Sequence, residues 1–343
     1  MDTIDQLLSP GRRQFNGQYF GRRPLIHKNA IKENPCFSRW SPEYLRSVLG
    51  GRTVMVKHSE SGLYNISVES QYRNRSMLFA EAIDLIINAG GEGKAYYLQQ
   101  YSIPSHFPEL LKDLETPALS APTDILSALN FWIGGQGCVT QLHYDRDHNF
   151  LVQVRGRKEL TLFSPEDSDY LYPNTGGAYA HVSRIQLDQV DTEQFPLFEK
   201  ATPFHCVLEP GDLLYMPPYW WHQVRSLDMA ISVNYWWNRF DISEGMGLER
   251  MSVEELCYHI KAFTDNGFSI DHRDDEGEPL LLKAIRKGYA NVVEAFLILG
   301  ASPDQTSVPG GTKKPVLTLA RESGYESIVK LLLEYGCNPV ADK

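Results

Sequence analysis

Between about residue 128 and residue 238 the chain alternates short runs of β-branched and aromatic residues with turn signals. The runs are NFWIGG, NFLVQVRG, KELTLFSP, GDLLYMPP, HQVRSL and MAISVNYWW. Short strands at regular spacing, with no helical period between them, predict an antiparallel sandwich or barrel. Upstream the period becomes helical twice. Residues 41–49, SPEYLRSVL, set the N-cap candidate Ser41 and a first-turn proline ahead of apolar residues at helical spacing. Residues 76–89, SMLFAEAIDLIINA, predict an amphipathic helix closed by Gly90 and Gly91.

Past residue 250 a longer period takes over. The segment 277–301, GEPLLLKAIRKGYANVVEAFLILGA, has the ankyrin pattern and recurs as 315–337, PVLTLARESGYESIVKLLLEYGC. Pro279 and Pro315, Ala284 and Ala320, Gly288 and Gly324, and Gly300 and Gly336 share one spacing, and the insertion SVPGGTKK accounts for its excess over the ideal repeat. Gly267 precedes Gly300 at the ideal interval, so residues 253–275 are read as a degenerate first repeat. The organisation expected is a domain over 1–240, a connecting segment over 241–252, and about two and a half ankyrin repeats over 253–343. Repeats bury their apolar faces only against neighbours, so so short an array is expected to pack on the first domain or on a second subunit.

Composition narrows the class. The chain has 343 residues, 42% hydrophobic and 22% charged, which is ordinary for a globular protein and excludes wholesale disorder. A net charge of −10 argues against a chain built mainly to hold nucleic acid. No run approaches the roughly 18 apolar residues of a membrane span, and the N-terminus has no secretion signal pattern. Five scattered cysteines without a CxxC point to a reducing compartment, so an intracellular, cytoplasmic location is expected.

The chemistry concentrates in 137–163, GCVTQLHYDRDHNFLVQVRGRKELTLF. In an extended chain His143 and Asp145 project to one face and can share a metal. GDLLYMPPYWWHQV delivers a second imidazole, His222, from a rigid strand. Two histidines and one carboxylate with open positions form the facial triad of non-haem Fe(II) oxygenases. Lys158, on the following strand, is placed to meet a co-substrate carboxylate. The bland alternatives are two core histidines, a turn aspartate and an exposed strand lysine. Asp147 and His148 form a second tempting pair, but the alternation that seats Asp145 turns them elsewhere.

Residues about 15–240 resemble the JmjC, cupin-like family of Fe(II)- and 2-oxoglutarate-dependent oxygenases. Within it they are most similar to the asparaginyl hydroxylases that modify hypoxia-inducible factor. FGRRPLI, WSPEYL, YYLQQ, VTQLHYDRDHNFLVQVRGRKELTLF, GDLLYMPPYWWH and ISVNYWW carry the likeness in that order. The resemblance implies a double-stranded β-helix, or jelly roll, with flanking α-helices. It implies His143, Asp145 and His222 as iron ligands and Lys158 as the partner of the distal carboxylate of 2-oxoglutarate. Tyr97 and Thr140 match hydroxyls that share that carboxylate. Asn149, Asn234 and Trp236 match the walls of the co-substrate pocket, and Gln99 matches a substrate-contacting glutamine. O2 is the second co-substrate. One departure stands out: His181 and Val182 occupy the place of an Arg-Gln pair that grips the target asparagine, which puts asparagine in doubt as the target.

The function expected is hydroxylation of a protein side chain, with 2-oxoglutarate decarboxylated to succinate and the repeats recruiting the protein substrate. The alternatives are a non-catalytic ankyrin adaptor with an inactive cupin domain, a JmjC lysine demethylase, and a tRNA base hydroxylase. Close members of the family form homodimers through helices after the core. Here repeats follow the core directly, so that property does not transfer.

Overall fold

HNFLVQVR is apolar at alternate positions and polar at several others, yet it forms a strand buried along almost its whole length. Burial on both faces requires a layer on each side, and the computed structural model supplies them. It describes residues 2–64, 72–88, 95–120, 125–175, 179–238, 248, 251–265, 269–271, 278–305 and 315–337. The chain divides into two compact units, Met1–Trp237 and Asn238–Lys343.

In the first unit the strands are β1 (Asp2–Thr3), β2 (Asp5–Leu7), β3 (Leu25–His27), β4 (Thr53–Ser59), β5 (Leu63–Tyr64), β6 (Arg73–Leu78), β7 (Ala95–Ser102) and β8 (Ile125–Gly134). They continue as β9 (Val139–Tyr144), β10 (His148–Arg155), β11 (Lys158–Phe163), β12 (Phe204–Leu208), β13 (Leu213–Met216), β14 (Trp221–Ser226) and β15 (Ala230–Asn238). One sheet has the order β1-β12-β11-β14-β9-β5 and the other β2-β3-β13-β10-β15-β8-β7-β4-β6. From β8 to β15 nearly every connection crosses from one sheet to the other, which is the winding of a jelly roll. Ile26, Leu151, Leu160, Leu162, Leu208 and Leu214 form a core cluster of strand residues drawn from both sheets. Leu142, Phe163 and Trp221 form a second cluster with Leu171 of the 164–203 excursion.

Helices α1 (Arg12–Gln18), α2 (Pro35–Arg39), α3 (Pro42–Leu49), α4 (Phe79–Asn88) and α5 (Ile103–His106) flank the sheets. Ser41 caps α3 as expected, its hydroxyl accepting from the Tyr44 N–H at 3.2 Å. The expected helix over 76–89 begins later. Ser76, Met77 and Leu78 pair with Met55, Val54 and Thr53, so the strand runs on to Leu78. From Phe79 the helical spacing takes hold, and Phe79, Ala82, Ile83 and Ile86 are buried along one face. Gly90 and Gly91 lie outside the described residues. Between β10 and β11 the turn needs Gly156: its φ is +62° and a Cβ there would stand 2.1 Å from the Met229 carbonyl oxygen.

The second unit is helical where described. Helix α6 (Val253–Asp265) packs on α8 (Ala290–Ile298), α8 on α10 (Glu326–Glu334), and α7 (Leu280–Lys287) on α9 (Val316–Glu322). The pairs α7–α8 and α9–α10 repeat in detail. Pro279 and Pro315 precede α7 and α9 with matching extended backbone. Gly288 and Gly324 close those helices at φ +74° and +73°, and Gly300 and Gly336 follow the second helices at +91° and +89°. Gly267 and nearly all of 241–250 lie outside the described residues. No helix among the described residues is long and apolar enough to cross a membrane.

Candidate metal and co-substrate site

His143 and His222 stand directly opposite each other on the antiparallel pair β9–β14, so their side chains share a face. The ring centroids are 4.3 Å apart. Each ring is fixed the same way: Nδ1 of His143 bonds the Gln141 carbonyl at 2.7 Å, and Nδ1 of His222 the Trp220 carbonyl at 3.0 Å. A carbonyl can only accept, so both Nδ1 atoms carry the proton and both Nε2 lone pairs are left for a ligand. Asp145, two residues past His143, brings Oδ1 to 3.8 Å from Nε2 of His143 and Oδ2 to 3.7 Å from Nε2 of His222. All three donors lie within 4.8 Å of one another. Burial, and then the neighbouring His222, pushes His143 down to about 4, so its imidazole is neutral at neutral pH and ready to ligate.

Lys158 occupies a position that the alternation of KELTLF reserves for core. It faces the same way as Leu160 and Leu162, with Glu159 on the solvent side. It is 2% exposed, and its Nζ donates to Ser232 Oγ at 2.6 Å. Burial lowers its pKa from 10.5 to about 8. Tyr97 lies against it, with Nζ 5.9 Å from the ring centroid. Burial holds its phenol well above its usual range, and the Thr140 hydroxyl acts on that phenol to lower its pKa.

Thr140 reaches this wall only through an irregularity. His222 opposes His143 but Val224 opposes Thr140, so β9 spends three residues where β14 spends two. The extra residue in β9 puts Thr140 and His143 on one face, where strict alternation would oppose them. From the other sheet, β15 turns Ser232, Asn234 and Trp236 inward, opposite Gln153, Leu151 and Asn149 of β10. Asn149 donates to Asp145 Oδ2 at 3.3 Å and accepts from Asn234 Nδ2 at 2.7 Å.

One cavity is thus lined by His143, Asp145, His222, Lys158, Tyr97, Thr140, Asn149, Asn234 and Trp236, together with Trp132, Leu151, Met216 and Val224. Gln99 is not among them. A bulge in β7 leaves it half-exposed, accepting from Lys57 Nζ at 2.7 Å. Val182 bridges His143 and the His181 carbonyl accepts from the Tyr144 N–H at 3.0 Å, so that pair adjoins the strand carrying the first imidazole. His148 turns away, bonded to the Tyr215 hydroxyl at 2.8 Å, while Asp147 accepts from Ser127. Sequence reasoning missed Trp132 and Ser232. The run AISVNYWW signalled Ser232, because Ser232, Asn234 and Trp236 alternate with apolar residues on an inward face.

A jelly roll holding two histidines and an aspartate at the end of one cavity defines a cupin-type metal-site architecture. The comparison with known proteins agrees: residues 12–243 match the family model described as a cupin-like domain. The chain therefore belongs to the cupin-like domain family. It is 32% identical over 240 residues to lysine-specific demethylase 8 of Xenopus tropicalis, covering 69% of this chain and 53% of that protein. It is 33% identical over 240 residues to Jumonji C domain-containing protein 5 of Drosophila melanogaster, 68% of this chain and 59% of that protein. The match to tRNA wybutosine-synthesizing protein 5 of Mus musculus is 28% over 316 residues and extends across 85% of this chain and 98% of that protein. The chain spans little more than half the length of the first two relatives.

Proposed function

We propose that this protein is an Fe(II)- and 2-oxoglutarate-dependent oxygenase, with His143, Asp145 and His222 holding the metal. The observation that carries the reading is the pairing of that triad with a buried lysine in one cavity. The residues fit the groups assigned to them. Both Nε2 atoms are freed by Nδ1–carbonyl bonds, as a metal ligand requires. In the same cavity, among the described residues, Lys158 bonds a neutral hydroxyl, and the buried indole nitrogens of Trp132 and Trp236 lack a partner. A buried cation with donors to spare suits a dicarboxylate. Fe(II) with 2-oxoglutarate and O2 supplies the oxidising power for an unactivated C–H bond, with succinate and CO2 as by-products. The protein's part is orientation and exclusion of water, and no side chain in the wall is required as a general base.

For the substrate we favour a protein side chain, with the helical unit as an ankyrin array that recruits it. The repeated proline starts and left-handed glycine ends of α7–α8 and α9–α10 support the array. The likeness to asparaginyl hydroxylases rests on the motifs of the metal and co-substrate walls. His181 and Val182 depart from it, which favours a residue other than asparagine, and lysine is the residue named by the demethylase relatives. A tRNA base is the second reading, favoured by the match to the wybutosine-synthesizing protein, which runs through both units. The net charge of −10 weighs against it.

The test is succinate formation by the purified protein with Fe(II), ascorbate, 2-oxoglutarate and O2, beside Asp145→Ala. Formation that depends on Asp145 supports the oxygenase. A folded protein that neither turns over nor binds Fe(II) or 2-oxoglutarate leaves the adaptor reading. Adding ankyrin-captured protein or bulk tRNA then separates the two substrate classes by which one raises the rate.

A further inference from the structure

We propose that Asn149 and Asn234 are positioning residues, a two-amide relay that runs from β15 through β10 to the β9–β10 turn and orients Asp145 for the metal. The inference rests on the oxygenase reading above and concerns how its weakest ligand is held. The two imidazoles sit within opposed strands, and each is locked by its own backbone carbonyl. Asp145 lies past the end of β9 and its side chain is 20% exposed, against 12% for His143 and 5% for His222. Among the described residues, the hydrogen bond donated to its carboxylate is the one from Asn149.

The direction of the relay follows from donor chemistry. A carboxylate only accepts, so Asn149 must show Asp145 its NH2 group, which turns its carbonyl oxygen toward Asn234. Asn234 must then present its own NH2, and it does so at 2.7 Å. Asn149 and Asn234 are diagonal neighbours on β10 and β15, since Asn149 opposes Trp236 and Leu151 opposes Asn234. They are 2% and 5% exposed, so both amides sit away from bulk solvent, where each bond counts for more than it would in water. The rigid centre of one sheet thereby fixes the carboxylate presented by the end of a strand in the other. Without the relay the carboxylate is free to rotate away from both imidazoles. Removing an outer partner of a ligand typically weakens metal affinity about 10–100-fold.

A relay in series has a signature that ordinary packing lacks. Once Asn149 is gone, Asn234 has nothing left to transmit. The experiment is Co(II) titration of the metal-free full-length protein by calorimetry, without 2-oxoglutarate, so that the co-substrate wall does not enter the result. Asn149→Leu should raise the Co(II) Kd about 10–100-fold. Asn234→Leu should raise it by a smaller factor, and the double variant should match Asn149→Leu within about twofold. Asn149→Thr keeps a hydroxyl donor and a residue suited to a strand. It should fall between wild type and Asn149→Leu, and it carries the test if the leucine variants fail to fold. An unchanged Kd in a folded Asn149→Leu or Asn149→Thr protein overturns the relay while leaving the metal site intact. So does strict additivity of the two leucine substitutions. Failure of the wild type to bind Co(II) overturns the metal-site reading itself.

Discussion

Lys158 should make the ligand-free protein less stable than it would be without a lysine there. Replacing it with methionine, which fills a similar volume without charge, is the informative perturbation. Holding a lysine at about 8 instead of 10.5 corresponds to about 3 kcal/mol against its charged form. The unfolded chain keeps the ordinary value, so below pH 8 both states are protonated and the folded state bears the whole penalty. From pH 8 to 10.5 the folded protein releases the proton first and the penalty fades. Methionine removes that penalty but leaves the Ser232 hydroxyl without its partner, which costs about 1–3 kcal/mol. The net expectation is a gain of up to about 2 kcal/mol at pH 7, or up to a few degrees in Tm for a unit of this size. Thermal melts at pH 7 and pH 10, with and without 2-oxoglutarate and Co(II), read it out. Lys158→Met should melt higher at pH 7, lose that advantage toward pH 10, and gain nothing from 2-oxoglutarate. A variant that melts lower at pH 7, or that 2-oxoglutarate stabilises as much as wild type, would refute the assignment of Lys158 as a cation held in wait for a carboxylate.

Thr140→Val keeps the shape of the residue but removes a hydroxyl from the cavity wall; the Kd for 2-oxoglutarate should rise about 3–10-fold in calorimetry, at roughly 1 kcal/mol for one lost hydrogen bond to the ligand. Gly156→Ala forces a Cβ to 2.1 Å from the Met229 carbonyl at a left-handed φ, so urea unfolding should show a loss of at least about 2 kcal/mol. Asp113 is fully buried, and burial alone would raise its pKa, but bonds from Tyr44, Trp40 and Arg39 together hold it below the usual value. Its contribution is therefore present above the ordinary carboxylate pKa of about 3.9 and lost as pH falls through the lower folded value. Asp113→Ala should cost about 3 kcal/mol at pH 7 and show a shallower acid-unfolding slope below pH 4.

The parts of this protein that sequence reasoning reads best are those governed by local periodicity. His143 and Asp145 share a face because extended residues two apart do so, and the α7–α8 unit repeats because its prolines and glycines repeat. The start of α4 was misplaced because Ser76, Met77 and Leu78 satisfy a helical pattern yet pair with β4, a long-range partner that no local window contains. The place of Thr140 depends on an extra residue in β9 that exists only relative to β14. The bond from Asn149 to Asp145 spans four residues across the turn from β9 to β10, so it depends on the conformation of that turn, which the alternation of neither strand gives. Ser232 was within reach, since a polar residue recurring on the inward face of a buried strand marks an internal polar partner, here of Lys158. Trp132, one aromatic in an apolar run, carried no such mark.

One cavity should hold a divalent metal on the triad and a dicarboxylate beside Lys158, and the two should bind together. Calorimetric titration of 2-oxoglutarate into the full-length protein, with and without saturating Co(II), tests it most directly. Binding should be tight with the metal and at least tenfold weaker without it, and Asp145→Ala should lose the metal's effect. Binding of 2-oxoglutarate that is indifferent to Co(II) and to Asp145, or no binding by the folded protein at all, would contradict it.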